Sequence, residues 1–375
     1  MASAYTPGLT VSGDIVVRRV RRLPIKGDVV VQLGNPVGPD TVVARALLPG
    51  PLQTMKMAEK LGVEPRDLPT AFKMQVGEQI TKGQTIAETK GLFGRFGKSK
   101  VESDFTGTIE SISEVTGSVL IREAPIPVEI HAYVEGKIAE ILEGEGAVVE
   151  TRCAMVQGIF GVGGERLGTI RVAVKDPSEV LDAAQISDSD KGRILVGGSG
   201  ITYEAFDKAS KVGVKGLIAG GIKDSDLMKF LGFDIGVAIT GQEQIDLSVL
   251  VTEGFGYLNM AQRTFDLLKQ LDGKTASMNG ATQIRAGVIR PEILVPLPAD
   301  HAKTEKAAEV FELKVGTPIR IIREPYFGLL GTVTELPAKL VVVDSGTHVR
   351  VLNAKLSDGR DVTVPRANVE IIASA

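Results

Sequence analysis

Apolar and polar residues alternate in steps of two through the first 50 positions. DIVVRRV (14–20), DVVVQLG (28–34) and VVARALL (42–48) are Val-rich runs, and they predict three strands. Between the first two, RRVRR sets arginines at 18, 19, 21 and 22. These read as the wet side of a strand, with phosphate contact or an acidic partner as alternatives. The rhythm then changes. Leu52, Met55, Ala58 and Leu61 recur at helical spacing before Gly62, which predicts a short helix within 51–61.

Strand rhythm returns over 73–150. KMQVGEQITKGQTIAET (73–89), DFTGTIESISEVTGSVLI (104–121) and VEIHAYVEGKIAEILEGEGAVVE (128–150) each read as strands punctuated by glycine turns. This grammar resembles the barrel-sandwich hybrid of biotinyl and lipoyl carriers, and is similar to segments of Rnf-type electron-transfer subunits and RNA polymerase large subunits. The cadence of 26–44 is the same, so the resemblance implies a β-rich sandwich-hybrid domain over 1–150. In a carrier, a lysine at a hairpin tip holds the cofactor, and Lys98 and Lys100 are the nearest candidates. Lys100 stands closer to Gly107 than the carrier pattern requires. Both lysines are expected to be unmodified, and no cofactor is expected.

From 151 to 298 strands and helices alternate. GRILVGG, GLIAGG, DIGVAITG, LSVLVTEGFG and RPEILVPL read as strands, and TYEAFDKASKVG, DSDLMKFLG and NMAQRTFDLLKQLDG as helices. Strands ending in glycine and followed by capped helices predict an α/β domain with a mainly parallel sheet. Ligands collect at the carboxyl ends of such strands. The candidate ligand-binding residues are therefore Ser199, Thr252, Glu253, Asn279, Gln283 and Arg285, with Glu253 and Arg285 orienting a polar ligand. The competing reading gives these glycines to tight βα turns and Ser199 to a helix N-cap.

Familiar catalytic patterns fail in detail. GLFGRFGKS (91–99) has Leu92 where a phosphate loop needs glycine, and GIFGVGGERLG lacks the third glycine of a dinucleotide fingerprint. Ser199 would sit in a nucleophile elbow, but the closing glycine is Ile201. His131, His301 and His348 lie in three separate segments, and Cys153 is the only cysteine. Neither a His/Cys metal set nor a disulfide within the chain can be built from them.

HAKTEKAAEVFEL (301–313) predicts a polar linker helix at 299–312. After it, VGTPIRIIREPYFGLLGTVTEL (315–336) resembles the KOW motif of NusG-type transcription factors and ribosomal proteins: Gly316, the 319–322 strand, Pro325, Gly328, Gly331 and Val333 fall in the expected order. The resemblance implies an SH3-like barrel over 313–375. On it, Arg320, Arg323 and Arg350 could hold phosphates, while Tyr326 and Phe327 could stack on a base or fill a partner's pocket. KOW-type barrels bind proteins as readily as RNA. The segment carries eight Lys and Arg against six Asp and Glu, a small excess for gripping phosphate.

A formal net charge of −3 over 375 residues argues against a protein that coats nucleic acid. The absence of a signal-peptide pattern and of a long apolar run leads us to expect a cytoplasmic protein without membrane contact. The expected fold class is a multidomain α/β and β protein: sandwich hybrid, α/β domain and KOW-like barrel, an arrangement similar to a bacterial type of KOW-domain-containing protein. The leading functional expectation is a non-enzymatic adaptor contacting RNA or protein of a transcription or translation assembly. A self-assembling homo-oligomer and a ligand-sensing or enzymatic α/β domain are the alternatives.

Overall fold

A computed structural model describes residues 9–89, 99–233, 241, 243, 245–283, 289–298, 313–321, 325–326, 329–337, 340–342 and 348–371. The linker helix expected at 299–312 and the strand expected at 234–240 lie outside these residues. Within them the chain is mostly β, arranged in several sheets.

Eleven strands form one mixed sheet. At its centre Glu165–Val172, Arg193–Val196, Gly216–Ile222 and Ser248–Phe255 lie side by side in parallel. Every residue of Gly216–Ile222 is buried, as expected of a strand covered on both faces. The helix Tyr203–Val212 begins where the Thr202 hydroxyl accepts from the Ala205 N–H, and ends at Gly213 in the left-handed region. It buries Ala205, Phe206 and Ala209, and Phe206 stacks on Phe230 of the helix Asp224–Leu231 with ring centroids 5.2 Å apart. Gln262–Gln270 buries Thr264, Phe265 and Leu268. The helices expected in this region are thus present, and the strands around them run parallel.

The sheet continues antiparallel through Thr275–Asn279 and Glu292–Pro296 into Gly146–Gln157 and Gly136–Leu142. The boundary expected at 150/151 therefore falls inside one strand, Gly146–Gln157. The local change of rhythm suggested a domain edge there, but long-range pairing carries the strand across it. Val11–Arg22 runs antiparallel along nearly all of this strand. Its arginines divide between the two faces. Arg18 and Arg22 are exposed and pair with Glu150 and Glu145 at 2.8 and 3.0 Å, whereas Arg19 and Arg21 are half-buried on the other face: Arg19 Nε is 2.6 Å from Glu292 Oε1, and Arg21 binds both oxygens of Glu165 at 2.6 and 2.8 Å.

Residues 52–122 form a unit with its own core. Leu52–Lys56, Ser118–Arg122, Gly107–Ser113 and Gln79–Ile80 make one sheet, Thr85–Glu88 and Lys100–Glu102 a second, and Met55, Met57, Leu68, Ile86 and Ile109 fill the interior. The helix expected within 51–61 is only Met57–Leu61. Leu52–Lys56 is instead a strand paired with Ser118–Arg122, because ladder bonds to a distant segment outweigh a weak local helix pattern. Lys100 opens a strand, and Lys98 lies outside the described residues. Where the chain enters and leaves this unit its two segments touch. The Glu123 N–H donates to Pro51 O at 3.0 Å, and a Cβ on Gly50 would stand 2.0 Å from Glu123 O. Beyond that contact Ile126–His131 pairs with Val42–Leu48.

Six strands make the C-terminal sheet: Pro318–Ile321, Leu330–Glu335, Leu340–Val342, His348–Leu356, Asp361–Pro365 and Val369–Ile371. Ile319, Ile321, Val333, Leu352 and Val369 belong to its core. The alternation in 319–321 turns Arg320 away from that core, yet Arg320 is buried as well.

Candidate functional site

The carboxyl ends of the central parallel strands are packed with main chain. A Cβ on Gly220 would lie 2.0 Å from Leu258 O, one on Gly221 2.1 Å from Gly256 O, and one on Gly198 2.4 Å from Glu179 O. These glycines let the 176–179 and 256–260 segments close over the strand ends.

The polar candidates there find partners within the chain. Ser199 is buried, and its hydroxyl donates to Ser178 O at 2.7 Å. Thr252 donates to Glu253 Oε1 at 3.1 Å, and the same oxygen accepts from the Ala261 N–H at 3.0 Å, where a carboxylate complements the start of the Gln262–Gln270 helix. The other oxygen of Glu253 forms an ion pair with Arg320 of the C-terminal sheet. Asn279 Oδ1 accepts from the Ala281 N–H at 2.9 Å, and Gln283 exchanges two main-chain hydrogen bonds with Ile289. Arg285 lies outside the described residues. The structure brings Thr252 and Glu253 together, and places Ser199, Asn279 and Gln283 in separate local hydrogen-bond sets.

In the C-terminal sheet, Arg320 is only 4% exposed. Tyr326 is half-buried against the sheet's core, with the Arg360 guanidinium over its ring at 5.4 Å. Arg360 is itself held by Asp358 at 2.8 Å. Arg350 is exposed on His348–Leu356, and Arg323 and Phe327 lie outside the described residues.

A second polar cluster was not singled out by motif. Around Arg19–Glu292 and Arg21–Glu165 stand Tyr133 and Cys153, both buried. Among the described residues Tyr133 is the only non-glycine with positive φ, at 72°. Arg21 lies 5.4 Å from its ring centroid, and its buried hydroxyl has no hydrogen-bond partner among the described residues. Burial, with the Glu292 and Glu165 carboxylates adding to it, holds the phenol's pKa well above its ordinary value. Burial likewise pushes the Cys153 thiol up to about 12, so it is a neutral core group rather than a nucleophile. The available sequence signal was the spacing of RRVRR, since a strand cannot keep four arginines in five positions on one face.

Among the described residues no three His, Cys, Asp or Glu side chains are grouped to hold a metal ion. No helix of the described residues is long and apolar enough to cross a membrane. No protein-family model matches the chain, and no curated protein sequence matches it.

Proposed function

We propose that this chain is a non-enzymatic binding protein whose C-terminal module contacts a protein component of a transcription or translation assembly. The observation that carries this reading is the buried Glu253–Arg320 pair. It engages at once the best acid of the α/β candidate site and the first arginine of the C-terminal contact set. Burial against the central sheet leaves Arg320 no access to a phosphate, and Arg360 covers one face of the Tyr326 ring. Of the contact arginines in the described residues, Arg350 alone is exposed, and one cation grips an RNA backbone weakly. The KOW-like order of residues 315–336 supplies the class of assembly, and the geometry favours a protein partner over RNA.

The test titrates the full chain, at near-physiological salt, with purified RNA polymerase, purified ribosomal subunits and a single-stranded RNA. Saturable binding to one of the two assemblies, with no saturation by RNA, is the expected result. RNA binding with a steep salt dependence would overturn the choice of partner.

A second reading, self-association, is favoured by Val16 and Val20. They are 59% and 57% exposed on Val11–Arg22, a strand with one neighbour among the described residues. A native mass equal to that of one chain at micromolar concentration would remove it.

A further inference from the structure

The strand Val11–Arg22 lies along Gly146–Gln157 and pairs with no other strand among the described residues. Its main chain shows which groups face away from that ladder. The Leu23 N–H donates to Glu145 O at 2.8 Å, and a Cβ built on Gly146 would stand 1.9 Å from Arg21 O. Odd-numbered residues therefore direct their main-chain groups at the ladder. Those of Val16, Arg18, Val20 and Arg22 point to the other side, where Arg18 O accepts from Arg19 Nη1 at 3.0 Å. The register slips between Ser12 and Ile15, and this bulge ends the regular edge, which runs over 16–22.

Proteins commonly guard such an edge with free charge. Here both arginines of the exposed face are neutralised within the chain, Arg18 by Glu150 at 2.8 Å and Arg22 by Glu145 at 3.0 Å. Val16 and Val20 alternate with them and are exposed. The edge is long, regular, partly apolar and without a net guarding charge.

We infer that this edge is the seam of a two-fold dimer, in which residues 16–22 of two copies pair antiparallel. Val16 faces Arg22 of the second copy, and Arg18 faces its Val20. The inference rests on the self-association reading above and gives it a surface and a register. Hydrogen bonding requires an even residue opposite an even residue. The two neighbouring registers of that kind set Arg18 opposite Arg18 or Arg22 of the second copy, which like charge disfavours. In the register inferred, each valine lies against the aliphatic stem of an arginine. On the other face Arg19 meets its counterpart at the two-fold axis, with its guanidinium already engaged by Glu292 at 2.6 Å. A self-complementary pairing satisfies both edges at once.

Sedimentation equilibrium of the full chain measures the dimer, and a thiol cross-link reads its register. Val20→Lys is expected to weaken dimerisation by about tenfold or more, with an unchanged melting temperature because Val20 is exposed. Val115→Lys, at a position 89% exposed in the 52–122 unit, should leave the dimer intact. Opposed residues of such a pair stand about 5.5 Å apart between Cα atoms, within disulfide reach. A mixture of Arg18→Cys and Val20→Cys chains should therefore link under mild oxidation, and Val20→Cys chains alone should not. The native Cys153 is buried and takes no part. A dimer that withstands Val20→Lys, or one in which Val20→Cys alone links as fast as the mixture, overturns the seam and leaves self-association to another surface. A parent chain that stays monomeric at micromolar concentration overturns both.

Discussion

Glu253, at the carboxyl end of a central parallel strand, and Arg320, on the outward face of the C-terminal sheet, form an ion pair in which both residues are under 5% exposed. Each charge removes the need for an external partner of the other. Such a pair adds little net stability compared with apolar groups of the same size. It does strongly disfavour any arrangement that separates its members in a dry environment. The C-terminal sheet is therefore held against the α/β centre in one register.

Arg320→Ala should lower unfolding free energy by about 3–5 kcal/mol, because it leaves the Glu253 carboxylate buried without its counter-charge. The double change Glu253→Gln with Arg320→Met should lie much closer to the parent. Urea denaturation of the three proteins checks this. An alanine variant within about 1 kcal/mol of the parent, the range of exposed pairs, would show the contact to be open to water.

Tyr133→Phe should raise stability by about 1 kcal/mol, since it deletes a buried hydroxyl that has no partner among the described residues and keeps the ring. Tyr133→Ala should cost about 3–5 kcal/mol through the lost packing. A Phe variant less stable than the parent would mean that the hydroxyl is hydrogen-bonded.

Alkaline pH should destabilise the fold through Cys153 and Tyr133. Both ionisations are held up in the folded chain, Cys153 at about 12 against an ordinary 9.0, so the unfolded chain loses its protons first. Stability is full below about pH 9 and then falls by about 1.4 kcal/mol per pH unit for the thiol alone, until the folded value is passed. Cys153→Ala should flatten that part of the profile. On the acid side Glu150 acts in the opposite sense. Its hydrogen bond from Arg18, then that from Lys137, holds its pKa below the ordinary carboxylate value, so its contribution is lost as pH falls through the folded pKa. Denaturant midpoints across pH, for the parent and for Glu150→Gln, measure both arms.

Gly220→Ala should destabilise by about 1–3 kcal/mol or more, because its Cβ would meet Leu258 O and Asn259 main chain that cannot withdraw. Gly192 is the control. It has φ of 78° and nothing within 4 Å of a built Cβ, so Gly192→Ala should show only the backbone cost of about 1–2 kcal/mol. Melting curves that reverse this order would argue against close packing at the strand ends.

Local rules made the central region readable. Thr202 and Gly213 bracket a helix whose apolar residues fall on one side, and the glycine-ended runs at 192–198 and 216–221 are parallel strands. What sequence could not supply was pairing at a distance. Leu52–Lys56 is a strand only because Ser118–Arg122 lies beside it. Arg19 and Arg21 look like surface arginines until Glu292 and Glu165 are brought to them. Read locally, Glu253 and Arg320 each suit a separate external ligand, because nothing near either residue in sequence announces the other. Glycine, too, has two meanings at a strand end, room for a ligand or room for main chain, and composition does not distinguish them.

The contact of Gly50 and Pro51 with Glu123 has a consequence for rearranging the chain itself. The unit spanning 52–122 leaves and rejoins its host at adjoining points, so it behaves as an insert with a seam. Cutting out residues 51–122 and splicing Gly50 to Glu123 would leave Val42–Leu48 and Ile126–His131 joined as an ordinary hairpin through a short loop. The excised piece would retain its own interior of Met55, Met57, Leu68, Ile86 and Ile109. The same seam is a natural address for grafting a foreign domain, because among the described residues no strand of the host sheet pairs with one that lies between the two cut ends.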